Sequence, residues 1–255
     1  MDTGETEVLI DGGNSGSGKE ISKAINTYVN GSIEYVIATH SHADHVGGLD
    51  RIYEDYAVSH TIYGDTGDSK QFKEFFDAAR GEPNSEMKED VDEVIPLGAG
   101  ISLSILDILD GSKNTNNNSV ISVLNCNGKK MLVTGDAEDH ESQDVRDRLI
   151  SKLASAGLRP IDVYIVGHHG SETSSSDALL DVITPTYGII SSYGPTHKSY
   201  KNPDRDVMER LIRHNVKVYG TYRSGDVTIM FKGNEIARSA PDSELLTVEN
   251  YGAAA

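Results

Sequence analysis

Residues 39–48 read THSHADHVGG. Three histidines, His40, His42 and His45, and one carboxylate, Asp44, fall within six residues, directly after the apolar run IEYVIA at 33–38. A buried strand that delivers four metal-capable side chains to its end is costly in an apolar setting unless a cation joins them. Side chains alternate along an extended turn, so His40 and His42 point the same way. Asp44 and His45 open the following helix and can face a second ion beside the first; imidazoles with a carboxylate suit Zn²⁺ or a similar ion. Ser41 is read as a spacer between two ligands, not as a nucleophile.

Three other stretches extend this pattern. TGDAED, 134–139, follows the strand-like KKMLV, so Asp136 leaves a strand end beside Gly135, where a carboxylate can project. VGHHGS, 166–171, follows VYIV and offers His168 and His169 in one turn. NTNNNS, 114–119, precedes another apolar run, and as a polar patch its Asn118 and Ser119 are candidates to hold substrate oxygens or support a metal. His60, His140 and His214 have no such surroundings and are read as ordinary surface or partly buried histidines.

Around these motifs, strand-like and helix-like segments alternate. Strands are predicted at 8–10, 33–38, 57–63, 94–97, 101–109, 119–126, 130–134, 163–166, 188–191, 216–219 and 226–231. Helices are predicted at 19–30, 44–56, 69–80, 140–156, 176–183 and 204–214. Phe72, Phe75, Phe76 and Ala79 recur at helical spacing and are read as a core-facing stripe. Asn127-Gly128 between two apolar runs is a two-residue hairpin turn. Two halves, each with strands and helices and no linker between them, predict an α/β protein: two mixed β-sheets packed as a sandwich with helices on the outside. One hydrolase domain is expected over 1–237, with 238–255, small and polar, as a loose tail.

Composition narrows the class. The 255 residues carry a net charge of −17, and no dense basic run appears; this disfavours a dedicated DNA-binding module but leaves room for an enzyme whose metal ions supply local positive charge. Cys126 is the only cysteine, so no intramolecular disulfide forms, and Cys126 is read as a small buried strand residue. No apolar run approaches the ~20 residues of a membrane-spanning helix. The opening, MDTGETEVLIDGG, has no basic n-region or long apolar stretch, so no signal peptide is expected. It reaches strand-like sequence almost at once and reads as trimmed or cut from a longer chain.

A competing signal lies at 11–20, DGGNSGSGKE, where Gly13–Lys19 has the spacing of a phosphate-binding loop. Position 20 is Glu, where that loop needs a Ser or Thr for Mg²⁺. No nucleotide cofactor is therefore expected, and Asp11 is the informative residue of the stretch.

Taken together, DGG at 11–13, THSHADHVGGLD, NNNSV, LVTGDAED, VGHHGSETSSS and PTYGIISSYG…NPDRDVMERL resemble the metallo-β-lactamase superfamily, and within it the C-terminal hydrolase domain of ComEC-type DNA-uptake (competence) proteins and their stand-alone relatives. The resemblance runs from about residue 8 to 231. It implies the metallo-β-lactamase fold, an αβ/βα sandwich, with two divalent ions, Zn or Mn. His40 and His42 would bind the first ion, Asp44 and His45 the second; Asp136 would bridge both, and His168, with His169 as its rival, would complete the second site. Asp11 would be a buried carboxylate supporting the metal loop. Asp44 and Asp136 would be the catalytic carboxylates, Asp44 orienting a hydroxide activated by the two metals.

Three departures stand out. NTNNNS lies where many members have a third histidine for the first ion, so Asn118 or water would stand in. Lys201-Asn202-Pro203 replaces the usual G-H-P, with His197 nearby as a candidate substitute. The family's opening strand is missing ahead of residue 5. The resemblance favours a phosphodiesterase or nuclease, with single-stranded DNA as one candidate substrate. The alternatives are a small-molecule hydrolase of β-lactamase or lactonase type and a non-catalytic binding domain of the same fold. Part of a ComEC-type protein would be extracytoplasmic; a stand-alone relative would be cytoplasmic.

Overall fold

The run SIEYVIA forms a strand because its β-branched and aromatic residues suit a sheet buried on both faces. In the computed structural model, which describes residues 6–29, 31–83, 85–108, 113–233 and 235–253, this strand is β2 (Ser32–Ala38), flanked by β1 (Val8–Ile10) and, further along the chain, β3 (Ala57–Tyr63). The chain divides into two compact units, Met1–Glu93 with Ile105–Val120, and Val94–Ser104 with Ile121–Ala255.

The first unit carries a four-stranded sheet in the order β1-β2-β3-β4, with β4 at Glu86–Glu89, and all three interfaces are parallel. Parallel neighbours need crossover connections. These are α1 (Gly18–Ile25), the pair α2 (Ala43–Val46) and α3 (Leu49–Asp55), and α4 (Lys70–Gly81). On α4 the expected stripe is buried: Phe72, Phe75 and Ala79 face the core, and Phe72 stacks on Phe76 at 5.4 Å. Full burial of Phe75 alone contributes about 1.5–3 kcal/mol. Ser69 caps the helix by accepting the Phe72 amide. Strand β4, EMKE, was not legible in the sequence, because an edge strand with charged residues on it looks like a loop.

The helix expected over 44–56 is broken at Gly47-Gly48, and the reason is steric. A Cβ on Gly48 would lie 2.3 Å from the Gly12 carbonyl oxygen and 2.7 Å from the Gly18 nitrogen. The two glycines let the loop after β1 run against the start of α2, where the Gly12 amide donates to the His45 carbonyl (2.6 Å) and the Gly48 amide to the Gly13 carbonyl (3.1 Å).

The second unit is built on a seven-stranded sheet, β11-β10-β9-β8-β7-β6-β5. Its strands are β5 (Glu93–Gly98), β6 (Ile101–Leu106), β7 (Ile121–Cys126), β8 (Lys129–Val133), β9 (Val163–Ile165), β10 (Tyr187–Ile190) and β11 (Lys217–Gly220); the first residue of β5 and the last two of β6 belong to the first unit. This sheet is mixed: β7 and β8 are antiparallel, while β8 to β11 run parallel. The β7–β8 turn is the expected hairpin, with Asn127 (φ 51°) and Gly128 (φ 90°) both left-handed, as the turn requires. Cys126 sits at its edge, half-buried rather than buried. Helices α5 (Gln143–Ser155), α6 (Asp177–Ile183) and α7 (Arg205–Arg213) connect the parallel strands. A short helix α8 (Thr221–Ser224) and the hairpin β12 (Ile229–Lys232) and β13 (Glu235–Arg238) complete the unit.

Residues 238–253, expected to be loose, are anchored instead. Leu246 is buried and bridges to Val218, Ala240 is buried, and the Tyr222 hydroxyl donates to the Tyr251 carbonyl. These few apolar contacts are isolated among polar neighbours, so no periodicity announces them. Among the described residues, no helix is long and apolar enough to cross a membrane.

Candidate metal centre

In the first unit the site is built at the carboxyl end of β2. Thr39 and His40 leave the strand, and His45 lies on α2. The rings of His40 and His42 are 4.7 Å apart and those of His40 and His45 4.1 Å apart. His40 and His45 are buried, His42 is exposed and Asp44 is half-buried in the first turn of α2.

Asp11 organises this cluster. It ends β1 in a left-handed conformation (φ 61°), which carboxylate and amide residues tolerate better than most. Its Oδ1 accepts the Thr39 amide and its Oδ2 the Thr39 hydroxyl, both at 2.8 Å, and Oδ2 accepts His45 Nδ1–H at 2.7 Å. Burial pushes the Asp11 carboxyl up, but the charge and hydrogen bond of His45 and the Thr39 amide outweigh it and hold it below the usual carboxylate range. The anion therefore fixes His45 with Nδ1 as donor and Nε2 presented as a lone pair, the arrangement of a metal histidine. His42 is engaged from the other side: its Nε2 lies 2.8 Å from the Thr115 hydroxyl, which makes Nδ1 the candidate ligand atom.

The stretch 114–119 is a 3₁₀ turn whose side chains are largely spent on support. Thr115 holds His42, Asn118 donates its amide to Asp65 at 2.6 Å, and the Ser119 hydroxyl donates to the Asn116 carbonyl at 2.7 Å. Asn118 and Ser119 are both buried. Thr115 and Asp65 were not among the residues singled out from the sequence.

In the second unit Asp136 lies buried in the turn after β8. Both histidines of the GHHG turn reach it: His168 Nε2 is 3.5 Å from one carboxylate oxygen and His169 Nε2 is 3.7 Å from the other. The turn is strained, with His168 (φ 50°) and His169 (φ 55°) both left-handed. The two rings are held differently. His169 Nδ1 is 2.8 Å from the Ser191 carbonyl, which can only accept, so Nδ1 carries the proton and Nε2 the lone pair. His168 Nδ1 meets the Thr173 hydroxyl at 2.9 Å and Glu138 at 3.7 Å.

The strain is balanced by a surrounding network. Buried Asp139 accepts the Ser175 and Ser176 amides at 2.7 and 2.8 Å, and burial raises its carboxyl above the usual range despite those bonds. Arg210 donates to the carbonyls of Glu172, Ser174 and Ser175. The Tyr164 hydroxyl, pushed up to about 12 by burial and then by Asp139, accepts the Gly167 amide. Asn202, at the position where a histidine was expected, donates to the His168 carbonyl at 3.2 Å, and the Asp204 amide donates to the Gly170 carbonyl at 2.9 Å. His197 does not join this group. It stacks on Tyr193 at 4.9 Å, and its Nδ1 accepts the Ser199 and Tyr200 amides.

The donor set fits divalent ions. Each unit presents imidazole nitrogens whose opposite ring atom is already engaged, beside carboxylates that can neutralise charge. In the first unit these are His40, His42, Asp44 and His45; in the second, Asp136, His168 and His169.

The metallo-beta-lactamase superfamily model matches residues 1–194. The chain is 31% identical over 208 residues to Recombination protein 2 of Haemophilus influenzae and 28% identical over 205 residues to ComE operon protein 3 of Bacillus subtilis. Each match covers 78% of this chain but only 22% and 25% of those proteins, so the chain spans about a quarter of their length. Among solved structures, the metallo-beta-lactamase fold protein YhfI of Bacillus subtilis is similar with a TM-score of 0.43 and 11% identity, over 73% of this chain and 74% of that one.

Proposed function

This chain belongs to the metallo-beta-lactamase superfamily, and on that premise we propose that it is a two-metal phosphodiesterase that cleaves single-stranded DNA. The observation that carries the metal dependence is the buried Asp11–His45 pair inside a cluster of three imidazoles. The substrate class rests on an oxygen- and nitrogen-rich donor set with no cysteine, on the resemblance to ComEC-type hydrolase domains and on relatives named for recombination and the ComE operon.

In this reading His40, His42, Asp44 and His45 would be metal ligands in the first unit, and Asp136 and His169 would be metal ligands in the second. When bound, the ions lower the pKa of water toward neutrality and offset charge developing on the phosphoryl oxygens. Asp44 accepts the proton of the attacking water and orients it. Asp11 holds His45 in the tautomer that presents Nε2, Thr115 holds His42, and the Ser191 carbonyl holds His169. His168, held by the Thr173 hydroxyl with Glu138 further off, is less committed than His169 and suits a substrate-facing or proton-donating role beside the leaving oxygen.

The test is a substrate panel with metal analysis. We expect about two divalent ions per chain, hydrolysis of bis-p-nitrophenyl phosphate and of a single-stranded oligonucleotide, loss of both on chelation, and recovery with Mn²⁺ or Zn²⁺. Turnover confined to nitrocefin or a lactone would overturn the phosphodiester reading, and metal no higher than trace in active protein would overturn the metal reading. Asp11→Asn probes the support directly. Asn tolerates the left-handed backbone and still accepts the Thr39 amide, so the fold survives, but the anionic hold on His45 is gone. Metal affinity should fall about 10–100-fold, read by competition with a chelating dye; unchanged affinity would leave Asp11 a purely backbone role.

A further inference from the structure

The loop between β10 and α7, residues 191–204, is fastened to the GHHG turn at both ends. At its start the Ser191 carbonyl accepts from His169, and at its finish Asn202 donates to the His168 carbonyl and the Asp204 carboxylate accepts the Glu172 amide. Between these anchors lie Tyr193, His197 and Tyr200. Their ring centroids are 4.9 to 5.8 Å apart, and the planes are inclined by only 20–33° to one another. Despite this packing, Tyr193 is 54% and Tyr200 47% exposed. Stacked aromatic rings on residues left this exposed call for an explanation.

The backbone holds the cluster in place. The His197 amide donates to the Gly194 carbonyl, and His197 Nδ1 receives two backbone amides. Gly194 packs so closely on Tyr222 that a Cβ there would fall 2.8 Å from its ring. The local charge is also reversed. The chain carries −17 overall, yet from Val182 to Pro203 it has no acidic residue, and Lys198 and Lys201 flank the rings. Stacked, exposed aromatics with lysines alongside match the two needs of a single strand of nucleic acid: a π-face for each base and a cation for the backbone. A neutral sugar would be gripped by carboxylates and amides, and this loop offers no carboxylate before Asp204, which is already bonded.

We propose that Tyr193, His197 and Tyr200 form a base-stacking platform that holds the nucleotides flanking the scissile phosphodiester. The proposal rests on the phosphodiesterase reading for its location. Tyr193 follows the His169 anchor at Ser191 by two residues, at most about 7 Å of chain, so a base stacked there keeps its phosphate near the histidine turn. The platform supplies preference for unpaired strands without base identity, since every base has a π-face.

Binding separates this role from catalysis. Fluorescence anisotropy on the full chain would compare a cleavage-resistant phosphorothioate oligothymidylate of about 12 nucleotides with an abasic strand of equal length and charge. The intact protein should prefer the oligothymidylate by about tenfold or more. Tyr193→Ala and Tyr200→Ala should each weaken its binding by about tenfold while leaving the abasic strand unchanged; Tyr193→Phe and Tyr200→Phe should retain it, and Lys201→Ala should weaken both strands alike. Equal binding of the two strands by the intact protein, folded alanine variants with unchanged affinity, or displacement by a neutral oligosaccharide would each overturn the platform. Hydrolysis of bis-p-nitrophenyl phosphate without base preference would sink the platform and spare the phosphodiesterase; base preference without any phosphodiester hydrolysis would do the reverse.

Discussion

Asp136→Ala should lower kcat/KM for a phosphodiester by at least about a thousandfold, equivalent to roughly 4 kcal/mol of transition-state stabilisation. The carboxylate is buried in the turn after β8, with His168 Nε2 and His169 Nε2 3.5 and 3.7 Å from its two oxygens. In the proposed mechanism it would be a metal ligand, so its removal would take away a donor oxygen and a buried negative charge. The turn itself is held by the Ala137 amide on the Thr134 carbonyl and the His168 amide on the Gly135 carbonyl, so the variant should fold. Activity is read together with metal content and thermal unfolding. A variant that melts normally, binds its full complement of metal and retains more than a tenth of the activity would remove Asp136 from the mechanism.

The candidate metal ligands of the first unit were legible because they are contiguous: one strand end and one helix turn supply His40, His42, Asp44 and His45, so spacing alone brings them together. Asp11 was legible only through its motif, and its work is done by a left-handed backbone that no residue pattern reveals. The groups that orient the rings were not legible. Thr115 meets His42 across 73 positions, and Ser191 meets His169 across 22, in the latter case through a backbone carbonyl that any residue would supply. The stretch at 11–20 shows the converse. Its glycines and lysine copy the spacing of a phosphate loop, yet the Gly12 amide and the Gly13 carbonyl are bonded to α2 and the residues after it. Spacing records which residues are small or charged, but not where the amides are spent. The fold divides along the same line: strands with strong apolar runs and the Asn-Gly hairpin were readable, while β4 and the anchored segment after residue 238 stay hidden among charged and polar neighbours.

The two adjacent histidines are the sharpest case, because adjacency cannot say which ring is a ligand and both have Nε2 near Asp136. Their second ring atoms distinguish them. A backbone carbonyl accepts and never donates, so Ser191 commits His169 to one tautomer with its lone pair on Nε2. The Thr173 hydroxyl at 2.9 Å can do either and the Glu138 carboxylate stands further off at 3.7 Å, so His168 is the less committed of the two rings. A committed lone pair favours the ligand role, and a less committed ring favours proton transfer. His169→Ala should therefore lose one of about two ions per chain and cut kcat/KM by at least about a thousandfold. His168→Ala should retain both ions yet lose about 10²–10⁴-fold in kcat with a flattened limb in the pH–rate profile, as removal of a general acid would. Metal stoichiometry by elemental analysis, run beside the pH profile of each variant, separates the two roles. If His168→Ala loses the ion and His169→Ala keeps it, the assignments exchange, and the tautomer argument fails with them.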